Sequence, residues 1–210
     1  MTADAAFWNN IAEKYAKKPV DDPAAFERKI GITKSLLKPS DVVLDIGCGT
    51  GSLALRLSPC AAHVHGLDVS SQMIRIARDK ATAAGVTNVT FHVGPFDGSF
   101  TAFGDASVRA ICAYSLLHLV ADLPDALGRI FRLLEPGGVF VSSTVCLGES
   151  WAPFGPLLWI LRRLGKAPMV KLLRKRTFED EVRRAGFIDV AWPDVGAKPN
   201  IGFMTAAKPR

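Results

Sequence analysis

The sequence predicts an α/β fold: a doubly wound, seven-stranded, mainly parallel sheet that ends in a C-terminal antiparallel hairpin. Three observations carry this. Apolar runs of strand length alternate with amphipathic stretches of helix length. The first apolar run passes through a glycine-rich turn straight into helix-forming residues, as "VVLDIGCGTGSLALRL" from Val42 to Leu57. No internal repeat or linker breaks the alternation, so the 210 residues read as a single domain.

The elements follow in order. "FWNNIAEKYAKKP" has helical spacing, with Phe7, Ile11 and Tyr15 on one stripe. "DVVLDIG" is a continuous apolar run, as suits a strand covered on both faces, and "SLALRLS" is a short helix after it. "HVHGLDV" is a second strand; Ser70 or Ser71 can cap the helix "SQMIRIARDKATAA", which Gly85 terminates. "NVTFHVG" and "VRAICAYSLL" are the third and fourth strands. "LPDALGRIFRLLEPGG" is a helix closed by Pro136 and the glycine pair, and "GVFVSSTVC" a fifth strand. "TFEDEVRRAGF" is a capped amphipathic helix, and "IDVAWPDV" with "NIGFMTAAKP" supplies two strands that pair as a hairpin.

Composition narrows the function classes. Half the residues are hydrophobic and no tract is biased, which describes a globular chain. "MTADAAFWNNIAEKYAKK" has no apolar core of signal-peptide type and no later run approaches a membrane span, so the expectation is cytoplasmic residence. Cys48, Cys60, Cys112 and Cys146 form no CxxC pair, which argues against a structural zinc and a disulfide framework. His63 and His65 share a strand face without an evident third ligand, so no metal is expected. The net charge of +6 is local: seven bases and no acid lie between Ser150 and Phe178, and the rest of the chain has 19 bases against 20 acids.

The glycine spacing selects the ligand. A dinucleotide turn, GxGxxG, needs its third glycine at position 52, but that residue is Ser52 and the glycine is Gly51. An acid at the strand end, Asp45, repels a pyrophosphate and suits an ammonium, such as the methionyl end of S-adenosylmethionine.

With these residues in view, the chain resembles the class I S-adenosylmethionine-dependent methyltransferases, a Rossmann-like family, and within them the type 11 group that includes ubiquinone and menaquinone C-methyltransferases. The matching pieces are "VLDIGCGTG", "GLDVSSQMI", "SLLHLV" and "LLEPGGVF", in family order, over Asn9 to Cys146. The resemblance implies four parts: an N-terminal helical cover (1–38), a cofactor-binding core (39–146), an acceptor-side lid (147–177) and a C-terminal helix with strands (178–210).

It also implies roles. Gly47, Cys48, Gly49 and Gly51 would line the methionyl and ribose part of the cofactor, with Asp45 near its ammonium and Asp68 accepting from the ribose hydroxyls; a helix-capping acid is the plain alternative for Asp68. Val69 and Met73 would pack on the adenine, although a methionine there is also ordinary core. Relatives carry an acid directly after the third strand's glycine; here Pro95 stands in that place, leaving Phe96 to stack and Asp97 to accept from the adenine amine, or the stretch to be a plain loop. Ala113, Tyr114 and Ser115 would line the reaction centre, with His118 either near the acceptor or structural. Tyr15 would reach the methionyl carboxylate, or α-helical aromatics there simply dock the helix. No catalytic base is legible.

The segment Trp151 to Arg176 mixes tryptophan and leucine with bases. One reading is a helical pair with a solvated charged side; the other is a lid for an apolar or acidic acceptor, with peripheral contact to an anionic membrane. Nucleic acid would call for a broader basic face. Two further function classes stand beside a small-molecule methyltransferase: an NAD-type oxidoreductase, and a non-catalytic cofactor-binding protein on the same fold.

Overall fold

The computed structural model describes residues 3–149 and 167–210. In chain order its main elements are α1 (Ala3–Lys17), α2 (Pro23–Ser35), β1 (Val42–Ile46), α3 (Ser52–Leu57), β2 (His63–Asp68), α4 (Ser71–Ala83), β3 (Val89–Val93), β4 (Val108–Tyr114), α5 (Leu123–Leu133), β5 (Leu134–Val145), α6 (Lys175–Arg184), β6 (Ile188–Ala191) and β7 (Ile201–Ala207). The sheet runs β3-β2-β1-β4-β5-β7-β6. The first five strands are parallel, and β7 pairs antiparallel with both β5 and β6. Seven strands, the hairpin and the winding are as the sequence predicts.

The alternation of side chains along β1 explains why its sequence is apolar throughout. Leu44 and Ile46 enter one core with Ile111, Phe140, Leu127 and Ile130 of α5, and Phe178 and Val182 of α6. Val43 enters the opposite core with Val64, Cys112, Ile30 of α2, Leu53 and Leu57 of α3, and Ile74 and Ala77 of α4. Successive Cβ atoms of a strand point to opposite faces, so a strand between two helix layers must be apolar at every position except where a polar group serves the site. Asp45 is that exception.

Local chemistry sets the helix ends. Asp22 caps α2 by accepting from Ala25 N at 2.9 Å, with Pro23 at the first helical position. Ser70, not Ser71, caps α4, its hydroxyl accepting from Met73 N at 3.1 Å. Asn9 of α1 reaches the same end: its side-chain oxygen accepts from Ser70 Oγ at 2.7 Å and Gln72 N at 3.1 Å, which docks α1 on α4.

Three sequence expectations need correction. The residues of α1 that are buried are Ala5 and Ala12, with Trp8 and Ala16 partly buried against the cluster of Ala12, Met73 and Ile76, while Tyr15 is 46% exposed. Small residues there let α1 approach α4 closely, and Phe7, Ile11 and Tyr15 are left on another side. The helix α5 stops at Leu133, before Pro136 and the glycines, because Leu134 is already extended and pairs with Val108 as a fully buried strand residue. The helix α6 begins at Lys175, and its N-cap, Arg174, offers no side-chain acceptor.

No disulfide links the four cysteines. Among the described residues no helix is long and apolar enough to cross a membrane.

Candidate functional site

The site begins with a steric fact about the β1–α3 turn. Gly47, Gly49 and Gly51 have φ of 67°, 53° and 74°, where any Cβ is strained. Their surroundings differ. A Cβ on Gly51 would stand 2.9 Å from Ala77 Cβ and Phe91 Cζ, so helix and strand packing alone demands this glycine. A Cβ on Gly49 would meet only the edge of the Tyr15 ring, at 4.0 Å; it would fill open space in a cleft that Gly49 lines. The backbone there is a cradle kept bare.

Hydrogen bonds hold the cradle in shape. The Leu67 carbonyl accepts from Gly47 N at 2.7 Å and Cys48 N at 3.0 Å. Asp68, at the end of β2, accepts from Gly49 N at 2.9 Å with one oxygen and from Ser70 N at 2.8 Å with the other. Burial raises its carboxyl above the usual range, and these two N–H groups work against that rise.

Beneath the turn lies Asp45, 1% exposed, whose Oδ2 has no hydrogen-bond partner among the described residues. Burial, and next the charge of Asp68, push its carboxyl up to about 8, with the Ala54 N–H acting in the opposite direction. A carboxyl raised this far is largely protonated at pH 7. An orphaned buried acid oxygen on a cleft wall fits a ligand that brings a positive charge with hydrogen-bond donors, such as an ammonium.

The cleft itself has a volume of about 520 Å³, within the range of small-molecule sites. It runs from the glycine turn, under the α1–α2 connection, to the carboxyl ends of β4 and β5 and the start of β7. The reversal of strand order between β1 and β4 opens it there.

Of the residues singled out from sequence, Tyr15, Asp45, Gly47, Cys48, Gly49, Tyr114 and Ser115 line this cleft. Tyr15 lies over Gly49, and burial followed by the charge of Asp68 raises its phenol above the ordinary value. Ser115 follows β4 in the left-handed region, φ 55°, with its N–H donating to Ser143 O at 2.6 Å. Strain of this kind persists only where the surroundings enforce it, and here it turns the chain at the cleft wall.

Tyr114 lines the cleft with its hydroxyl engaged. Its hydroxyl is 2.8 Å from Thr33 Oγ1, and Thr33 already donates its own proton to Lys29 O at 2.9 Å. Tyr114 is therefore the donor, and its ring packs edge-on against Phe26 and Phe203. It ties α2 to β4.

The other predicted residues lie outside the cleft lining. Gly51 and Ala113 sit behind it in the core. Met73 is buried under α1 with Ala12 and Ile76. Asp68 and the half-buried Val69 continue along the carboxyl edge toward β3, where Gly94 N donates to Asp68 O at 2.9 Å. Phe96 packs against the α5-side core, 6.5 Å from the Phe100 ring. Asp97 is exposed, and its Oδ1 accepts from Ser99 N at 2.9 Å and Ser99 Oγ at 2.6 Å. His118 is 7% exposed with Nδ1 unpartnered among the described residues, and burial pushes its imidazole down to about 4.

Sequence reasoning missed part of the cleft: Lys29 of α2, Ser143 and Thr144 of β5, and Asn200. A signal existed. Ala25, Lys29 and Thr33 lie at i, i+4 spacing on the buried side of α2, and "SST" in β5 puts three hydroxyls in a strand covered on both faces. The histidine pair gained a neighbour, since His65 Nδ1 lies 3.2 Å from His92 Nε2; among the described residues no group of three His, Cys, Asp or Glu is arranged to hold a metal ion.

Comparison with known proteins agrees with this geometry. A family model described as a methyltransferase domain matches residues 37–171. The chain is similar to a demethylmenaquinone methyltransferase of Symbiobacterium thermophilum, 26% identical over 215 residues that cover 87% of this chain and 83% of that one. It is 33% identical to an uncharacterized methyltransferase of Bacillus subtilis, over 116 residues covering 55% of this chain and 43% of the relative. In fold it resembles phosphoethanolamine N-methyltransferase 2 of Haemonchus contortus in complex with phosphomonomethylethanolamine and S-adenosylhomocysteine, with a TM-score of 0.78, 17% identity, and coverage of 100% of this chain and 61% of that one. The match over residues 37–171 means that this chain belongs to the methyltransferase domain family.

Proposed function

We propose that the protein moves the methyl group of S-adenosylmethionine to a small organic acceptor held at the β4–β5 end of the cleft. The observation that carries this is the continuity of the cleft from the Gly49 cradle to Ser115 and Ser143. Gly47, Cys48 and Gly49 hold the methionyl part, Asp45 takes its ammonium, and Asp68 turns toward the ribose hydroxyls while keeping its backbone bonds, since a carboxylate offers more than two acceptor positions. Val69 and Phe96 flank the adenine, and Tyr15 covers the turn.

The cofactor supplies a methyl group already activated on a sulfonium. The chain then has to align the acceptor's nucleophile with that methyl group and keep water out. The described groups suit positioning better than proton abstraction. Burial raises the Tyr114 phenol well above its ordinary value and raises the Cys48 thiol as well, and His118 lies off the cleft.

Phe26, Val145 and Ile201 on the cleft wall support an acceptor with an apolar part. The proposed lid, 147–177, and its contact with an anionic membrane rest on residues of which 150–166 lie outside the described residues. We place the protein in the cytoplasm.

Calorimetry tests the reading: S-adenosylhomocysteine should bind at micromolar strength and NAD should not. Transfer of a labelled methyl group to a molecule in cell extract would identify the acceptor. If neither S-adenosylhomocysteine nor S-adenosylmethionine binds, the reading is wrong.

A further inference from the structure

Among the described residues, Lys29 is a buried cation with no carboxylate paired to it. It is 9% exposed on the cleft side of α2, and its Nζ donates to Ser143 Oγ at 2.9 Å. No carboxylate among the described residues lies within ion-pair distance of it. Asp22, whose charge acts on it, caps α2 through Oδ1 and is not within ion-pair distance of it. An ammonium has three donors and Ser143 uses one. Withdrawing such a group from water without pairing is costly, and it is retained where a ligand completes the pair.

We propose that Lys29, with the Ser143 hydroxyl, binds an oxyanion on the acceptor, so that the acceptor is an organic acid whose carboxylate or comparable anionic oxygen fixes its orientation. This deepens the methyltransferase reading and rests on it. The cofactor's own methionyl carboxylate shares the same chemistry, and the Lys29→Met measurement below tells the two apart. Asp68 ends β2 and Ser143 lies on β5, three strands away, or about 14 Å at the usual spacing. Val145, Asn200 and Ile201 line the same cleft as Lys29.

The test uses the full chain saturated with S-adenosylhomocysteine. Hexanoate and benzoate, each with its amide, are titrated while the ¹³Cε resonance of Lys29 is followed. The expected result is at least tenfold tighter binding of a carboxylate than of its amide, and a rise in the titration midpoint of Lys29, which burial holds below the usual value. Lys29→Met should abolish the preference and leave S-adenosylhomocysteine affinity within threefold, while Lys29→Arg should keep the preference. If Lys29→Met does not fold, Ser143→Ala should weaken carboxylate binding at least threefold. Equal binding of acid and amide, or no shift of the lysine, overturns the proposal. So does a tenfold loss of S-adenosylhomocysteine affinity in Lys29→Met with the preference intact, which would assign the lysine to the cofactor. Failure of wild-type protein to bind S-adenosylhomocysteine would strike the methyltransferase reading itself.

Discussion

The two ends of the cleft are built by different means. At the β1 end the ligand surface is backbone: glycines at positive φ, N–H groups held by Leu67 and Asp68, and a single acid beneath. At the β4–β5 end it is side chains, with Lys29, Ser143 and Ser115 drawn from two strands and a helix far apart in sequence. A backbone cradle can be written into a few consecutive residues. A side-chain wall depends on which elements pack together, and so varies freely on one fold.

The glycines give the largest expected effects. Gly51→Val should cost about 3 kcal/mol or more, because the added atoms meet Ala77 and Phe91 in a strained backbone region; denaturant unfolding measures this. Gly49→Ala should cost only about 1 kcal/mol of stability yet weaken S-adenosylhomocysteine at least tenfold, since its Cβ enters the cleft. Equal losses of stability at the two positions would erase the distinction between a packing glycine and a cradle glycine.

Next comes Asp45. Its folded carboxyl titrates near 8 against about 3.9 when unfolded, so the folded state binds the extra proton. Stability should therefore fall as pH rises from 4 toward 8 and level off above, by a few kcal/mol at most. Cofactor affinity should rise over the approach to pH 8, as ionised Asp45 becomes available to the ammonium. Asp45→Asn should flatten both profiles; an unchanged affinity profile would remove Asp45 from the ammonium's surroundings.

His118 titrates in the opposite sense. Its imidazole is lowered to about 4, so the neutral folded form loses stability as pH falls from about 6.5 toward 4. His118→Gln should lessen that acid sensitivity while leaving methyl transfer at neutral pH within a few-fold.

The smallest effect is expected of Tyr114→Phe. It removes one hydrogen bond to Thr33, worth about 1 kcal/mol, and leaves methyl transfer nearly intact. A hundredfold loss of kcat at unchanged Tm would show that the phenol touches the acceptor.

The fold was legible because its signals are local and repeated. Apolar runs bounded by turns located all seven strands, and the hydroxyl of Ser70 and the glycine at position 85 marked the ends of α4. Where the sequence misled, a neighbour decided. Leu134 became strand because Val108 was available as a partner, and the buried side of α1 was chosen by the shape of α4. At the site, the places of Gly49 and Asp45 beside the cleft follow from a spacing of a few residues, whereas the packing of Met73 under α1 and the bonding of Asp97 to Ser99 do not. Their roles depend on whether α1 covers the one and Ser99 engages the other.

By itself, then, the sequence determined the winding, the glycine turn and the charge beneath it, since each follows from backbone sterics and short-range order. Only the tertiary structure decided that Lys29 faces Ser143 across 114 residues, and that Tyr114 gives its proton to Thr33. The physical reason is that hydrogen bonds and charge burial depend on distance in space, and pairing between remote elements is set by packing rather than by any pattern within either one.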